Sequence, residues 1–205
     1  MAAVLLAAGL LAGCSDDDGS LPGGLGGVGE ADVDVATPAL VEQKARLGVE
    51  DCEALAAADG GPVDGGLPEV TLPCFGGGPE VSMASLRGPM VLNFWGGACA
   101  PCKEEMPALE TFHQQHGEQV PILGVDYLDV VPGVAMDLVE ETGATYPLVA
   151  DPGGDLGVGS DVRVVGLPHF VLIDAEGRVV HQSPGGIDSV AELEQMVTEH
   201  LGVTL

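Results

Sequence analysis

The stretch "NFWGGACAPCKEEMP", residues 93–107, sets two cysteines two residues apart, between an apolar run and the start of a helix. Upstream, "MVLNFW" (90–95) is a continuous apolar run of strand length, the pattern of a strand buried on both faces. Downstream, Pro101 suits a first helical turn and glutamates follow at 104, 105 and 110. A helix is therefore predicted from Pro101 to His116, kinked at Pro107. Cys99 falls on the loop that ends the strand, and Cys102 in the first turn of the helix. Unpaired backbone N–H groups at such a terminus stabilise negative charge, so Cys99 is expected to ionise below the ordinary thiol range. The thiolate is the nucleophile of disulfide exchange, and Cys102, one turn on and on the same face, is placed to resolve the mixed disulfide. Two other readings compete. A zinc site needs four ligands, commonly as two such pairs, and no second CxxC exists. A purely structural disulfide would close almost no loop.

The remaining cysteines narrow the choice. Five are present, at 14, 52, 74, 99 and 102. The N-terminus reads "MAAVLLAAGLLAGC": residues 2–13 are apolar, too short to span a bilayer, which takes about 20 residues, but of the length of a secretory h-region. Leu11-Ala12-Gly13-Cys14 resembles the bacterial lipobox, which implies a signal peptide over residues 1–13 and a lipidated Cys14. The basic n-region of that pattern is absent. Assigning Cys14 to lipid leaves four cysteines, and with Cys99 and Cys102 adjacent, Cys52 and Cys74 form a candidate structural disulfide worth roughly 3 kcal/mol. Two reduced thiols are the alternative. The domain is then expected outside the cytoplasmic membrane, lipid-anchored on its outer face, where disulfides persist.

Charge excludes one class of partner. The 205 residues carry 32 Asp and Glu against 6 Lys and Arg, a net of −26, which repels phosphate backbones and disfavours nucleic acid. "SDDDGSLPGGLGGVGEADVD" (15–34) is rich in Gly and Asp with few large apolar residues, and residues 14–66 are read as a lipidated cysteine and flexible acidic tether, with a short helix in "VEQKARLGVEDCEALAAADGG". The domain proper is placed at 67–205. Within it "EVTLP" reads as a short strand, "SMASLRG" as a helical turn, "VPILGVDY" as a second buried strand and "VAMDLVEETG" as a helix stopped by Gly143. "YPLVAD" reads as an edge strand, "HFVLIDAEGRVVHQ" as a hairpin, and Asp188 to Leu201 as a capped final helix. The order β-α-β-α-β-β-α makes an α/β domain, a mixed central sheet flanked by helices, with an N-terminal strand extension.

"LPEVTLP", "ASLRGPMVLNFW", "CAPCKEEMP", "YPLVADPGG" and "GLPHFVLIDAEGRVV", in that order over residues 67–203, resemble the thioredoxin fold, and within it the TlpA/ResA-like extracytoplasmic thiol–disulfide oxidoreductases. The resemblance implies that Cys99 is the exposed nucleophile and Cys102 the buried resolving thiol. It makes Pro168 a cis-proline facing them, and Leu167 a source of backbone hydrogen bonds to an extended substrate; Trp95 joins these two as an expected substrate-binding residue. Relatives carry a glutamate where Glu105 stands, three residues after Cys102, which makes it a candidate proton acceptor for that thiol; helix N-terminal charge is the plainer reading. No cofactor beyond the cysteine pair is implied. Expected partners are protein thiols and disulfides, apocytochrome c cysteines among them, with a membrane thiol reductase as electron donor to a monomeric chain.

The chain also departs from the family pattern, and rival functions compete. Where the family shows Trp before the first cysteine, this chain has Ala98 after Gly96-Gly97. His169 follows Pro168 where relatives often carry Thr, and either approaches Cys99 or points outward from its strand. Asp126, at a strand end, is a weaker candidate near the site's edge. A disulfide-forming oxidant and a copper chaperone using Cys99, Cys102 and His169 are the alternative functions. Peroxidase chemistry of the fold needs Thr three residues before the reactive cysteine, where Gly96 stands.

Overall fold

The computed structural model describes residues 33–158 and 160–205; Cys14 and the apolar stretch before it lie outside them. Five strands form the central sheet: β3 (Met90–Trp95), β4 (Ile122–Tyr127), β5 (Leu148–Asp151), β6 (His169–Ile173) and β7 (Val179–Pro184), in the order β5-β4-β3-β6-β7. β3, β4 and β5 are parallel neighbours, while β6 and β7 run antiparallel. All six residues of β3 and all six of β4 are buried, which is why both read as unbroken apolar runs. Parallel strands need crossovers, supplied by α3 (Ala100–His116) and α4 (Pro132–Thr142), with α5 (Val190–Leu201) closing the chain. α3 continues through Pro107, and α4 stops at Gly143, whose φ of 70° is left-handed.

The two faces of the sheet bury separate clusters. Val91, Trp95, Phe170 and Leu172 pack under the helices with Met106, Leu109 and Phe112 of α3, each of the last three wholly buried and worth about 1.5–3 kcal/mol. Leu92, Phe94, Leu123, Val125 and Val171 face the other way, onto the segment around β1 (Thr71–Leu72) and β2 (Val81–Ser82). These two strands pair as an antiparallel ribbon, the expected N-terminal extension.

Residues 33–66 differ from the tether expected there. α1 (Pro38–Leu47) is capped by the Thr37 side chain and ended by left-handed Gly48, and a short α2 (Glu53–Ala56) follows. Val35, Leu40, Val49, Cys52 and Leu55 are buried in the domain's core. Arg46 pairs with Glu140 of α4 at 2.8 Å, and Gln43 bonds the same carboxylate. Cys52 and Cys74 are disulfide-bonded, and the Cys52 sulfur lies 3.3 Å from the Leu148 carbonyl of β5. The folded body therefore begins well before Leu67, with Val35 already in the core. A few well-spaced apolar residues suffice to dock this segment, although its mean composition is that of a linker.

Candidate active site

β3 ends at Trp95, and Cys99 is the N-cap residue of α3. Its sulfur accepts the Cys102 backbone N–H at 3.3 Å, and the two cysteines are disulfide-bonded. Cys99 is half-buried, whereas Cys102 is wholly buried in the helix-side core. A helix of 17 residues with no acidic residue in its first turn sets free N–H groups and the positive end of its dipole on the Cys99 sulfur. Gly97 lets this loop close: a Cβ there would sit 2.5 Å from the Ala135 backbone nitrogen of α4. The Gly97 N–H donates to Asp129 Oδ2 at 2.7 Å, tying the cysteine loop to the turn after β4.

One turn beyond Cys102, Glu105 has no exposed surface. Asn93 of β3 donates to its Oε1 at 2.8 Å and the Ile187 N–H to its Oε2 at 3.4 Å. Burial pushes its pKa from 4.5 up to about 7, against the pull of these two hydrogen bonds. A carboxyl that exchanges its proton near neutrality thus stands on the same helix face as Cys102. The Leu167–Pro168 peptide bond is cis, and Pro168 is buried. Leu167 packs over Gly96, and Pro168 and Glu105 both border Gly186. Folding thus gathers Cys99, Cys102, Glu105, Leu167 and Pro168 at one end of the sheet.

Trp95 does not join them. It is wholly buried, edge-on to Phe75 with ring centroids 6.3 Å apart, so it is a core residue and not a substrate contact. The pleat explains this: Asn93 and Trp95 alternate with Phe94 and turn their side chains under the helices. The same parity governs His169. It pairs edge-on with Phe94 on the opposite face of the sheet, and burial holds its pKa below the ordinary imidazole value. Among the described residues Cys99, Cys102 and His169 do not gather within metal-binding reach, which removes the geometric basis of the copper reading. Cys52 and Cys74 lie elsewhere, where Lys44 Nζ donates to the Cys74 sulfur at 3.2 Å and to the Gly77 carbonyl at 2.7 Å. Asp126, in register with Trp95, is buried with Oδ1 unpartnered; burial first and the neighbouring Asp129 second push its pKa up to about 8.

Asn93 and Asp129 escaped the sequence reading. Asn93 was legible as the one polar residue in "MVLNFW"; Asp129 acts on Gly97 across 32 residues and left no local signal.

The sheet order, the CxxC on a helix N-terminus and the cis-proline beside it define a thioredoxin-like protein. The chain belongs to the AhpC/TSA family, whose model matches residues 63–182. It is 34% identical over 127 residues to the thiol-disulfide oxidoreductase ResA of Halalkalibacterium halodurans, covering 60% of this chain and 67% of ResA. It is 33% identical over 139 residues to the thiol:disulfide interchange protein DsbE homolog of Paracoccus denitrificans, covering 66% of this chain and 72% of that protein. The chain spans 62–67% of the length of the ResA relatives it matches. Among solved structures, the thioredoxin domain of a thiol-disulfide oxidoreductase from Bacteroides vulgatus superposes with a TM-score of 0.52 at 26% identity, covering 66% of this chain and 98% of that one.

Proposed function

We propose that this chain is a thiol–disulfide oxidoreductase that works through Cys99 and Cys102 on protein substrates outside the cytoplasmic membrane. The observation that carries the reading is the asymmetric cysteine pair on the N-terminus of α3, with a buried carboxyl one turn behind it. In the reduced protein the Cys99 thiolate attacks a substrate disulfide, forming a mixed disulfide and releasing the substrate's second sulfur as a thiolate. Cys102 gives its proton to the Glu105 carboxylate and attacks the Cys99 sulfur. That step closes the Cys99–Cys102 disulfide and leaves a substrate dithiol, two electrons having passed to the substrate. The Leu167–Pro168 backbone holds the substrate segment extended beside Cys99. Glu105 with a pKa of about 7 suits its role, since it accepts a proton near neutrality and returns it in the reverse direction.

The wider reading follows from the family resemblance of the motifs and from the N-terminal sequence. Lipid on Cys14 tethers the domain to the outer face of the membrane, a membrane thiol reductase restores the dithiol, and apocytochrome c cysteines are the substrate. Insulin reduction tests the core of it. Cys99→Ser abolishes turnover, and Cys102→Ser accumulates mixed disulfides that non-reducing electrophoresis resolves. Unchanged turnover in both variants refutes the mechanism. A redox titration of the pair sets the direction of electron flow.

A further inference from the structure

Lys44 is buried, with 8% of its side chain exposed, and among the described residues no other lysine or arginine is. It stands in the last turn of α1 and reaches the Cys52–Cys74 disulfide. Its Nζ donates to the Gly77 carbonyl at 2.7 Å and to the Cys74 sulfur at 3.2 Å, with Asp51 Oδ1 3.6 Å away. The glycines after Cys74 make this enclosure. A Cβ on Gly76 would sit 2.9 Å from the Lys44 Cβ, and one on Gly78 would run into Asp51 Oδ1 and lie 3.2 Å from the Cys74 sulfur. Both glycines also hold positive φ, which side chains disfavour.

A buried ammonium is costly unless it is paired, and the oxidised protein pairs this one poorly. A disulfide sulfur is a neutral, weak acceptor, and Asp51 has 58% of its side chain in water, which screens the ion pair. Burial accordingly pulls the Lys44 pKa below its ordinary 10.5, with Asp51 opposing the fall. Reduction supplies the missing partners. A Cys74 thiolate would carry a full negative charge in contact with the ammonium, away from water. Cys52 meets the opposite surroundings: its sulfur lies 3.3 Å from the Leu148 carbonyl, an acceptor that suits a thiol S–H and repels a thiolate. The two sulfurs thus stand in places that fit one thiolate and one thiol. Asp51 Oδ1, 3.7 Å from the Cys74 sulfur, is the charge that works against the thiolate.

We propose that Cys52–Cys74 is a second redox couple of this chain, opened by an external dithiol, with Cys74 released as a thiolate onto Lys44 and Cys52 as a thiol onto the Leu148 carbonyl. One thiolate of the dithiol attacks the Cys52 sulfur, the Cys52–Cys74 bond breaks, and Cys74 departs with the electron pair. The second thiolate of the dithiol attacks the mixed disulfide and expels Cys52, which takes one of the dithiol's two protons while the other goes to solvent. Two electrons enter the protein, the dithiol becomes a disulfide, and the covalent tie that holds the α2 segment beside β5 is undone. The proposal stands apart from the reading of Cys99 and Cys102.

It is tested by equilibrating the full chain in mixtures of reduced and oxidised dithiothreitol, alkylating free thiols, and mapping by mass spectrometry. Mapping reads Cys52 and Cys74 separately from the other cysteines. Lys44→Met keeps the stem and removes the charge; half-reduction then needs at least a tenfold higher ratio of reduced to oxidised dithiothreitol, a shift of about 30 mV. Asp51→Asn changes an exposed side chain and keeps an oxygen for the Cys52 N–H, which Asp51 Oδ1 accepts at 2.7 Å. It removes the opposing charge and moves the midpoint at least threefold the other way. In the reduced wild-type protein, limiting iodoacetamide labels Cys74 at least tenfold faster than Cys52. A lysine that merely braced the Gly77 loop would give Lys44→Met the opposite sign, since a looser segment yields its disulfide more readily. A Lys44→Met midpoint that is unchanged or shifted toward easier reduction therefore overturns the proposal. Equal labelling of the two cysteines overturns it as well, as does an Asp51→Asn pair no easier to reduce than wild type. These last two measurements decide the matter if Lys44→Met fails to fold.

Discussion

Replacing Glu105 by glutamine removes the proton-exchanging group behind the cysteine pair while keeping its size. In the folded protein the carboxyl is fully enclosed, and its pKa stands at about 7 against an ordinary 4.5. The fold therefore favours the protonated form. The stability that this carries is complete below about pH 4.5 and is lost as pH rises to about 7, because the unfolded chain ionises first. At about 1.4 kcal/mol for each pH unit, the wild-type protein loses roughly 3 kcal/mol over that window through this residue alone. The amide of the Glu105→Gln variant does not titrate. Its single carbonyl oxygen still accepts the 2.8 Å bond from Asn93, so only the longer 3.4 Å bond from Ile187 is given up. Urea unfolding of both oxidised proteins, at several pH values from about 4 to 8, checks the difference. The variant is expected to be near wild-type stability in acid and roughly 2–3 kcal/mol more stable at neutrality. Its rate of mixed-disulfide resolution, in contrast, loses the inflection near pH 7. A stability difference that stays constant across the range would mean that Glu105 is not the titrating group.

Asp126→Asn carries the same sign over a wider window, because burial and Asp129 raise this carboxyl to about 8. The variant gains several kcal/mol over wild type between about pH 4 and pH 8, measured by the same unfolding series, and parallel profiles would refute the assignment. Replacing Cys52 and Cys74 together by Ala opens a link between residues 22 apart in sequence. Thermal unfolding should show a loss of roughly 3 kcal/mol, about 10 °C in Tm. Insulin reduction by that double variant persists at temperatures where it is folded, since the pair lies away from Cys99.

Much of the fold was legible because buried parallel strands have no polar face to maintain. "MVLNFW" and "VPILGVDY" could be read as strands without knowing their neighbours, and Gly143 marked the end of α4 by its left-handed cap. The segment carrying α1 reads as a short helix within a tether, not as part of the domain, because its apolar residues are sparse. Leu40 and Val49 stabilise it only once α4 and the sheet stand opposite, and Arg46 meets Glu140 across 94 residues. Trp95 as a substrate contact and His169 as a neighbour of Cys99 fail for a different reason. Each stands next to a motif residue in sequence, but a strand turns neighbouring side chains to opposite faces.

The sequence by itself determined where the cysteine pair sits: a CxxC between a strand and a helix places its first cysteine on the helix N-terminus wherever the domain goes, because the spacing is local. Tertiary structure alone decided the environment of that pair. The exclusion of water around Glu105 raises its pKa against the hydrogen bonds from Asn93 and Ile187, and the space beside Cys99 opens where Ala98 meets the Leu128–Val130 turn. Solvation and long-range contact are properties of the assembled chain, so no local pattern could specify them.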